Sequence, residues 1–283
     1  MKLDLSTPTP LAYFAALVAS DEQLPLLEAA ASLAQDEYPE LDVEQVLADM
    51  DQLAARLKRR VAAGAGAMDR LRTLNQFFFG DLGFAGNVND YHNPDNSHLN
   101  VVLRTRRGIP VSLAVLWLEL AHGLGLQAEG VGFPGHFLMQ VNLGEGRVVI
   151  DPFTGQSLGQ DELRERIGEL QPHLHLTPAS ELPLAIYLQP AGARQILARM
   201  LRNLQDIHRT QEDWPRFVAV QDRLITLLPR AWAEYRDRGL ALAQLGDVGR
   251  ARKDLALYLG EAGDARDRVA VRERLAALGG CVD

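Results

Sequence analysis

The stretch from 111 to 123 constrains the fold most, because apolar residues occupy every side of the helix it would form. A helix without a polar face has to be enclosed by other elements. Three runs with strand character follow, 127–133, 137–143 and 147–150, and Gly144-Glu145-Gly146 has the composition of a hairpin turn between the last two. The middle of the chain is therefore predicted to be a buried helix followed by an antiparallel sheet, an α+β unit.

Helices are expected on both sides of this unit. From 10 to about 79, apolar residues recur at three- and four-residue steps, and Asp42 with Gln45 has the spacing of a capping box. Glycine, asparagine and proline between 80 and 100 predict a packed loop. Its asparagines could hydrogen-bond a bound backbone or satisfy the loop's own polar groups, and the second role is favoured. A helix resumes over 97–104. After Pro190 the pattern is helical. Trp232 and Gly239 have the spacing of a tetratricopeptide helix pair, with plain helical hairpins as the alternative.

Charge and cysteine content exclude several classes of protein. The net charge of −8 argues against broad binding to nucleic acid or to anionic membranes. A single cysteine, Cys281, excludes an internal disulfide and a multi-cysteine zinc site. His92, His98 and His136 lack the spacing of known metal ligands, and surface histidines on a polar loop explain the first two better. With no long apolar run and no signal core at its start, the chain is expected to be cytoplasmic, without a cofactor or a metal.

Two residues have the arrangement of a base and its orienting acid. His136 follows Pro134-Gly135 at the predicted start of one strand, and Asp151 follows the apolar run 148–150 at the end of the next. Adjacent antiparallel strands can bring such positions within hydrogen-bond distance. An aspartate there would fix the imidazole tautomer, as in a catalytic triad. A structural hydrogen bond that closes the sheet is an equally open interpretation.

The sequence offers no clear nucleophile for such a site. It would sit at the start of the buried helix, where the helix dipole favours a thiolate. The first turn contains Pro110, Val111 and Ser112 and no cysteine. Ser112 could be a nucleophile, a hydrogen-bond donor to a substrate, or a cap. A cap or polar contact is favoured, because serine is common in first turns.

Six motifs resemble one family, the bacterial transglutaminase-like proteins of the SirB invasion-regulator type, which have a C-terminal tetratricopeptide segment. The resemblance extends from about Leu26 to Leu278. The motifs are Gly83-Phe84-x-Gly86-Asn87, Tyr91-x-x-Pro94-x-Asn96-Ser97, Arg107-Gly108-Ile109-Pro110-x-Ser112-Leu113, Pro134-Gly135-His136-Phe137-Leu138, Asp151-Pro152-Phe153 and Arg236-Asp237-Arg238-Gly239-Leu240.

The resemblance implies a mostly helical α+β fold with a papain-like transglutaminase core at 1–190, followed by tetratricopeptide-like hairpins at 191–283. His136 and Asp151 match the family's histidine and aspartate. In active relatives of the wider superfamily the cysteine lies two residues after a glycine, which counts from Gly108 to Pro110 here. Proline cannot be a nucleophile, although it is comfortable in a first helical turn. Ser112 lies two residues beyond that position.

The expected function is therefore that of a pseudoenzyme. A cleft with His136, Asp151 and Ser112 would bind a peptide or protein, and the helical repeats would supply a second interaction surface in a regulatory role. We expect a monomer or weak dimer. The alternative is a protease-like hydrolase or acyltransferase with Ser112 as nucleophile, His136 as base and Asp151 as its orienter.

Overall fold

The structure is a computed structural model that describes residues 8–144, 146–174, 183–263 and 265–279, without the side chains of 170–174. Glu145 of the predicted turn and Cys281 lie outside these ranges. The α-helices of the described residues are α1 (Pro10–Leu17), α2 (Leu26–Ser32), α3 (Val43–Lys58), α4 (Ala67–Asn75), α5 (Leu99–Thr105), α6 (Pro110–Gly123), α7 (Gln160–Leu174), α8 (Leu184–Tyr187), α9 (Ala193–Thr210), α10 (Trp214–Leu227), α11 (Trp232–Gln244), α12 (Val248–Glu261) and α13 (Arg268–Gly279). The strands are β1 (Ala85–Gly86), β2 (Arg107–Gly108), β3 (Gln127–Val131), β4 (Leu138–Leu143), β5 (Gly146–Ile150), β6 (Ser157–Leu158) and β7 (Pro190–Ala191). The predicted mostly helical α+β fold is confirmed.

The contacts of the chain divide it into two compact units. One unit is Pro25–Met200, called here the core unit, and the other combines Met1–Leu24 with Leu201–Asp283, called here the helical unit. The predicted domain bounds of 1–190 and 191–283 stay a prediction. The contacts group α1 with the C-terminal helices, which no sequence pattern indicated.

Helix α6 is the centre of the core unit. Its residues from Pro110 to Leu118 are all buried, and so are Leu120 and Ala121. Helices α2, α3, α4 and α5 pack against it, and so do β3 and β4. The one polar group of the buried Trp117 is satisfied, because its indole N–H donates to Asn75 Oδ1 at 3.0 Å. The predicted enclosed helix is thus confirmed.

The sheet that follows α6 has the order β6-β5-β4-β3-β7, and all its neighbours are antiparallel. The three predicted strands and the hairpin between β4 and β5 are confirmed. The two outer strands, each of two residues, were not predicted. Val131, Leu138 and Val149 share one face by register, and they cluster with Leu163 and Ile167 of α7. Met139 pairs with Ile150 at one end of the β4–β5 ladder, and the candidate site lies at this end of the sheet.

Helix α3 begins where the sequence predicts, but only the aspartate of the predicted capping box makes its hydrogen bonds. The Asp42 carboxylate accepts from the N–H groups of Glu44 at 2.9 Å and Gln45 at 3.4 Å. The Gln45 side chain donates to Asp49 Oδ1 instead of returning to the cap. The helix is therefore capped by the aspartate alone.

The helical unit has the close helix pairing that its repeat spacing predicts. A Cβ atom on Gly239 of α11 would lie 2.9 Å from the Leu255 side chain and 3.2 Å from the Ala251 carbonyl of α12. Only glycine allows this approach. Arg238 then bridges Asp222 of α10 at 2.6 Å and Asp254 of α12 at 2.7 Å. Among the described residues, no helix is both long and apolar enough to cross a bilayer.

The enclosure of α6 predicts a large loss of stability when an apolar side chain within it is shortened. Leu116 is 0% exposed, so Leu116→Ala should lower the free energy of unfolding by about 2–5 kcal/mol through lost contacts and a cavity. Glu119, an exposed residue of the same helix, is the control, and Glu119→Ala should change little. Urea unfolding monitored by circular dichroism measures both. Equal effects of the two substitutions would contradict a buried α6.

Candidate functional site

The predicted histidine and aspartate meet at the end of the β4–β5 pair. His136 comes just before β4 and Asp151 directly after β5, and His136 Nε2 lies 2.9 Å from Asp151 Oδ1. A tight turn aims the histidine, since Gly135 has φ +66° and the His136 N–H donates to the Phe133 carbonyl at 3.1 Å. The proximity expected from two adjacent antiparallel strands is confirmed.

Asp151 is the most constrained group of the site. It is 3% exposed, and its Oδ1 also accepts the Phe153 N–H at 2.9 Å, while Oδ2 accepts from Arg166 Nη1 at 3.0 Å. Burial acts to raise the pKa of this carboxyl, but the hydrogen bond and charge of His136, with the bonds from Phe153 and Arg166, lower it below its ordinary value. Asp151 is therefore a carboxylate at neutral pH, and it can only accept hydrogen bonds.

Ser112 lies inside the protein and is bonded to the main chain. It is 0% exposed, and its hydroxyl donates to the Asn96 carbonyl at 2.6 Å and contacts the Ile109 carbonyl at 3.0 Å. A hydroxyl has one proton, and these two carbonyls share it. Within the described residues, no hydrogen bond joins Ser112 to His136. Ser112 therefore makes the kind of polar contact that the sequence analysis favoured.

Pro110 is the first residue of α6, and Ile109 before it has extended backbone. Proline has no N–H group, and a first helical turn needs none. Gly108 leads into this turn, and a Cβ atom there would lie 2.7 Å from Ser112 Oγ. The sequence Gly-Ile-Pro-x-Ser is thus explained by the local packing of the chain around a buried helix start.

The loop between β1 and α5 is rigidly bonded to this helix start through Asn96. The Asn96 carbonyl also accepts the Ile109 N–H at 3.2 Å. The Asn96 side chain donates to the carbonyls of Asp90 at 2.7 Å and Tyr91 at 3.1 Å, and it accepts from Asn87 at 2.9 Å. The loop's asparagines therefore satisfy its own polar groups, as predicted.

His98 corrects one expectation. It is 4% exposed and is not a surface histidine. Its Nδ1 lies 3.5 Å from Asp95 Oδ1, its ring meets Tyr38 edge to face, and Tyr38 donates to Asp95 at 2.5 Å. Burial lowers the pKa of His98 against the opposing effect of Asp95, and burial with the same carboxylate raises the pKa of Tyr38 to about 12. His98 thus packs beside Tyr38 and Asp95, and its buried Nδ1 has no hydrogen-bond partner. The described residues hold no group of three or more potential metal ligands.

An aromatic contact joins the loop to the His136–Asp151 pair. The Gly86 N–H donates to the Phe153 carbonyl at 2.8 Å, and a Cβ atom on Gly86 would lie 2.1 Å from the Phe153 ring. The Phe153 ring lies 6.0 Å from that of Tyr91. Tyr91 is 43% exposed and Val88 is 78% exposed. The loop therefore holds Tyr91 and Val88 in solvent, and Tyr91 lies near Phe153, two residues after Asp151.

Sequence reasoning missed Arg166 and the contact between Gly86 and Phe153. The contact between Gly86 and Phe153 could have been anticipated, because both residues belong to motifs quoted above. Arg166 had none, since it is one of several charged residues on an amphipathic helix, and only the fold brings it to Asp151.

Comparisons with known proteins agree with this architecture. A transglutaminase-like superfamily model matches residues 44–202, and a tetratricopeptide repeat model matches 204–276. A UPF0162 protein of Xylella fastidiosa (strain 9a5c) is 40% identical over 240 residues, 84% of each chain. UPF0162 protein PA3419 of Pseudomonas aeruginosa is 31% identical over 89% of this chain and 90% of its own. UPF0162 protein YchA of Escherichia coli (strain K12) is 26% identical over 79% of this chain and 80% of its own.

A crystal structure of menin covers 93% of this chain and 72% of menin, with a TM-score of 0.41 and 13% identity. A likeness at this level carries no argument.

The lowered pKa of Asp151 predicts a pH-dependent contribution to stability. A carboxyl whose pKa is lowered by folding stabilises the fold at pH values above its ordinary pKa near 3.8. That contribution is lost as the pH falls through the pKa of the folded state. Asp151→Asn should therefore cost about 2–4 kcal/mol at neutral pH, and the difference from wild type should shrink below about pH 4. Urea unfolding over this range measures it. Asp161→Asn, at an exposed aspartate of α7, is the control and should change little. A difference that grows in acid would contradict the prediction.

Proposed function

Since this chain belongs to the transglutaminase-like superfamily and to the UPF0162 family, we propose that its core binds a peptide or protein segment without catalysing acyl transfer. The proposal rests chiefly on the residue at the start of α6. Acyl transfer needs a nucleophile, and N–H donors commonly stabilise the oxyanion that forms. At the position where the family resemblance puts the cysteine, Pro110 supplies neither group.

The remaining groups suit recognition. His136 is partly exposed and fixed by a buried carboxylate, so it can form a directed hydrogen bond to a ligand. Tyr91 and Val88 project from a loop whose backbone is bonded to Asn96. An exposed aromatic ring on a preorganised loop loses little conformational entropy when it binds. We propose that the bound segment contacts His136 and the Tyr91 ring together.

The helical unit is proposed as a second interaction surface. Stacked helix pairs commonly present such surfaces, and the matched repeat model covers α10, α11, α12 and most of α13. With two surfaces the protein would act as an adaptor in a regulatory process, which agrees with the SirB resemblance. We propose a cytoplasmic monomer or weak dimer in this role.

A hydrolase or acyltransferase is the second candidate, and one observation favours it. The His136–Asp151 hydrogen bond of 2.9 Å is the arrangement of a base and its orienter. The position of the candidate nucleophile, Ser112, argues against catalysis. Ser112 would have to leave the Asn96 and Ile109 carbonyls and reach the imidazole from a fully buried position. The proposal of a binding protein therefore has more support.

A reactive-serine probe separates the two candidates. A fluorophosphonate should not label Ser112, because its hydroxyl is buried and bonded to carbonyls, and Ser112→Ala should lower stability by about 1 kcal/mol as a lost hydrogen bond. Mass spectrometry locates any label, with an established serine hydrolase as positive control. Labelling of Ser112 that disappears in His136→Gln would establish the hydrolase instead.

A binding experiment tests the proposed contact surface. Peptides selected from a random displayed library on the wild-type protein should lose about tenfold or more in affinity for Tyr91→Ala, a typical cost for an aromatic anchor. Met68→Ala is a matched control, because Met68 is also 43% exposed and belongs to the same unit. Fluorescence anisotropy measures each Kd. Equal affinity for wild type, Tyr91→Ala and His136→Ala would refute binding at this surface.

A further inference from the structure

We infer that Arg56 and Arg106 form a binding site for a phosphate monoester group, which accepts hydrogen bonds from two guanidinium groups that stack on buried aromatic rings. The site lies in the core unit, with Arg56 in the last turn of α3 and Arg106 at the C-terminal cap of α5. The inference goes beyond the proposed binding of a peptide segment and does not depend on it. The phosphate would belong to a small ester or to a phosphorylated side chain of another protein, since both present the same group.

Buried phenylalanine rings fix the position of both guanidinium groups. The Cζ atom of Arg56 lies 5.7 Å from the centroid of the Phe77 ring, and that of Arg106 lies 4.6 Å from the centroid of the Phe84 ring. Phe78 follows Phe77 in the chain and stacks on Phe84, with 4.2 Å between the ring centroids. The three rings are at most 1% exposed. A guanidinium that stacks by its face keeps its N–H edge for an anion.

Neither of the two guanidinium groups has an anionic partner. Among the described residues, no ion pair and no hydrogen bond involves the side chain of Arg56 or Arg106, and the buried Nη1 of Arg106 has no acceptor. Burial and the charge of Arg56 lower the pKa of Arg106 against the opposing effect of Asp49, whose Oδ1 accepts from the Gln45 amide at 2.9 Å. The two cations therefore repel each other, and a bound anion would relieve that repulsion.

Arg60 has the anionic partner that Arg56 lacks. Its Cζ atom lies 4.8 Å from the centroid of the same Phe77 ring, and its guanidinium pairs with Asp81. Asp81 also accepts from the Gln76 amide at 3.0 Å. A guanidinium stacked on this ring thus bonds a carboxylate where the chain supplies one. At Arg56, one turn earlier, the acceptor oxygens would come from a ligand.

The backbone of Arg106 is a second, independent indication of a binding role. Its φ of 60° and ψ of 21° place it in the left-handed region, where a helix cap is usually glycine or asparagine. Of the described residues with positive φ, only Arg106 and Glu212 are not glycine. An arginine in this conformation is strained, and strained residues cluster at ligand sites. Contacts of the side chain, with the Phe84 ring and with a ligand, would offset the strain.

The number of donors selects the class of anion. A carboxylate has two oxygens, which one guanidinium fork can occupy. A phosphate monoester has three terminal oxygens and a charge of about −1.5 to −2 at neutral pH, so it can accept from both forks and balance both charges. Arg56 is exposed and Arg106 is half-buried, so a ligand can reach the pair from solvent. The net charge of −8 disfavours an extended polyanion such as a nucleic acid.

Titration of the full chain with inorganic phosphate and with O-phosphoserine tests the inference. The arginine Nε–Hε signals in NMR spectra report binding, and the substitutions below assign them. We expect saturable shifts at Arg56 and Arg106 with a Kd of about 1 mM or lower, and a Kd at least about tenfold higher for acetate. Tighter binding of phosphoserine peptides than of O-phosphoserine would identify a phosphorylated protein as the source of the group. Equal affinity would identify a small ester.

Two substitutions should each raise the Kd for phosphate about tenfold, the effect of losing one charge-assisted hydrogen bond. Arg106→Gly suits the left-handed backbone, and Arg56→Gln lies at an exposed helix position, so both variants should fold. Arg106→Lys keeps the charge without the fork and should also bind more weakly than wild type. Arg72→Gln is the matched control, because its side chain is 74% exposed in the same unit, and it should leave the Kd unchanged.

Amide spectra of each variant report folding. An unchanged Kd in both Arg56→Gln and Arg106→Gly would overturn the inference, and so would wild-type protein that shows no saturable shift with either phosphate compound. Neither result bears on peptide binding at Tyr91 and His136, because that experiment uses other residues and other ligands.

Discussion

The start of α6 is buried, and every polar group there needs a partner within the protein. The Asn96 carbonyl meets this need for both the Ser112 hydroxyl and the Ile109 N–H. The side chain of the same residue bonds the carbonyls of Asp90 and Tyr91. One asparagine therefore ties the buried helix to the exposed loop, and the role of Ser112 follows from this constraint. The surface that Tyr91 presents depends on the same bonds.

The chain keeps a paired imidazole and carboxylate, and the start of α6 has no nucleophile at Pro110. Such a combination is physically stable, because proline suits a first helical turn and the His136–Asp151 bond needs no third partner to persist. Arg166 bonds the other oxygen of the same carboxylate, with its Nη1 3.0 Å from Oδ2. These features support the proposal of recognition without acyl transfer.

The sequence predicted elements whose signal is local. The apolar run of α6, the strand character of β3, β4 and β5, the Asp42 cap and the close-packing Gly239 each depend on neighbouring residues, and each was found. Features that depend on distant partners were not predicted. The strands β6 and β7 are two residues long, too short for a pattern. His98 is buried beside Tyr38 and Asp95, which are distant or unpatterned in the sequence, and only the fold brings Arg166 to Asp151.

An engineered thiol measures directly whether the His136–Asp151 pair faces position 110. The measurement is the thiolate ultraviolet absorbance of Pro110→Cys as a function of pH, in a Cys281→Ser background that removes the natural thiol. We predict that the introduced thiol ionises with a pKa below the ordinary value of about 8.5, and that adding His136→Gln reverses part of this shift. An introduced thiol that ionises at the ordinary value, with or without His136, would contradict the account.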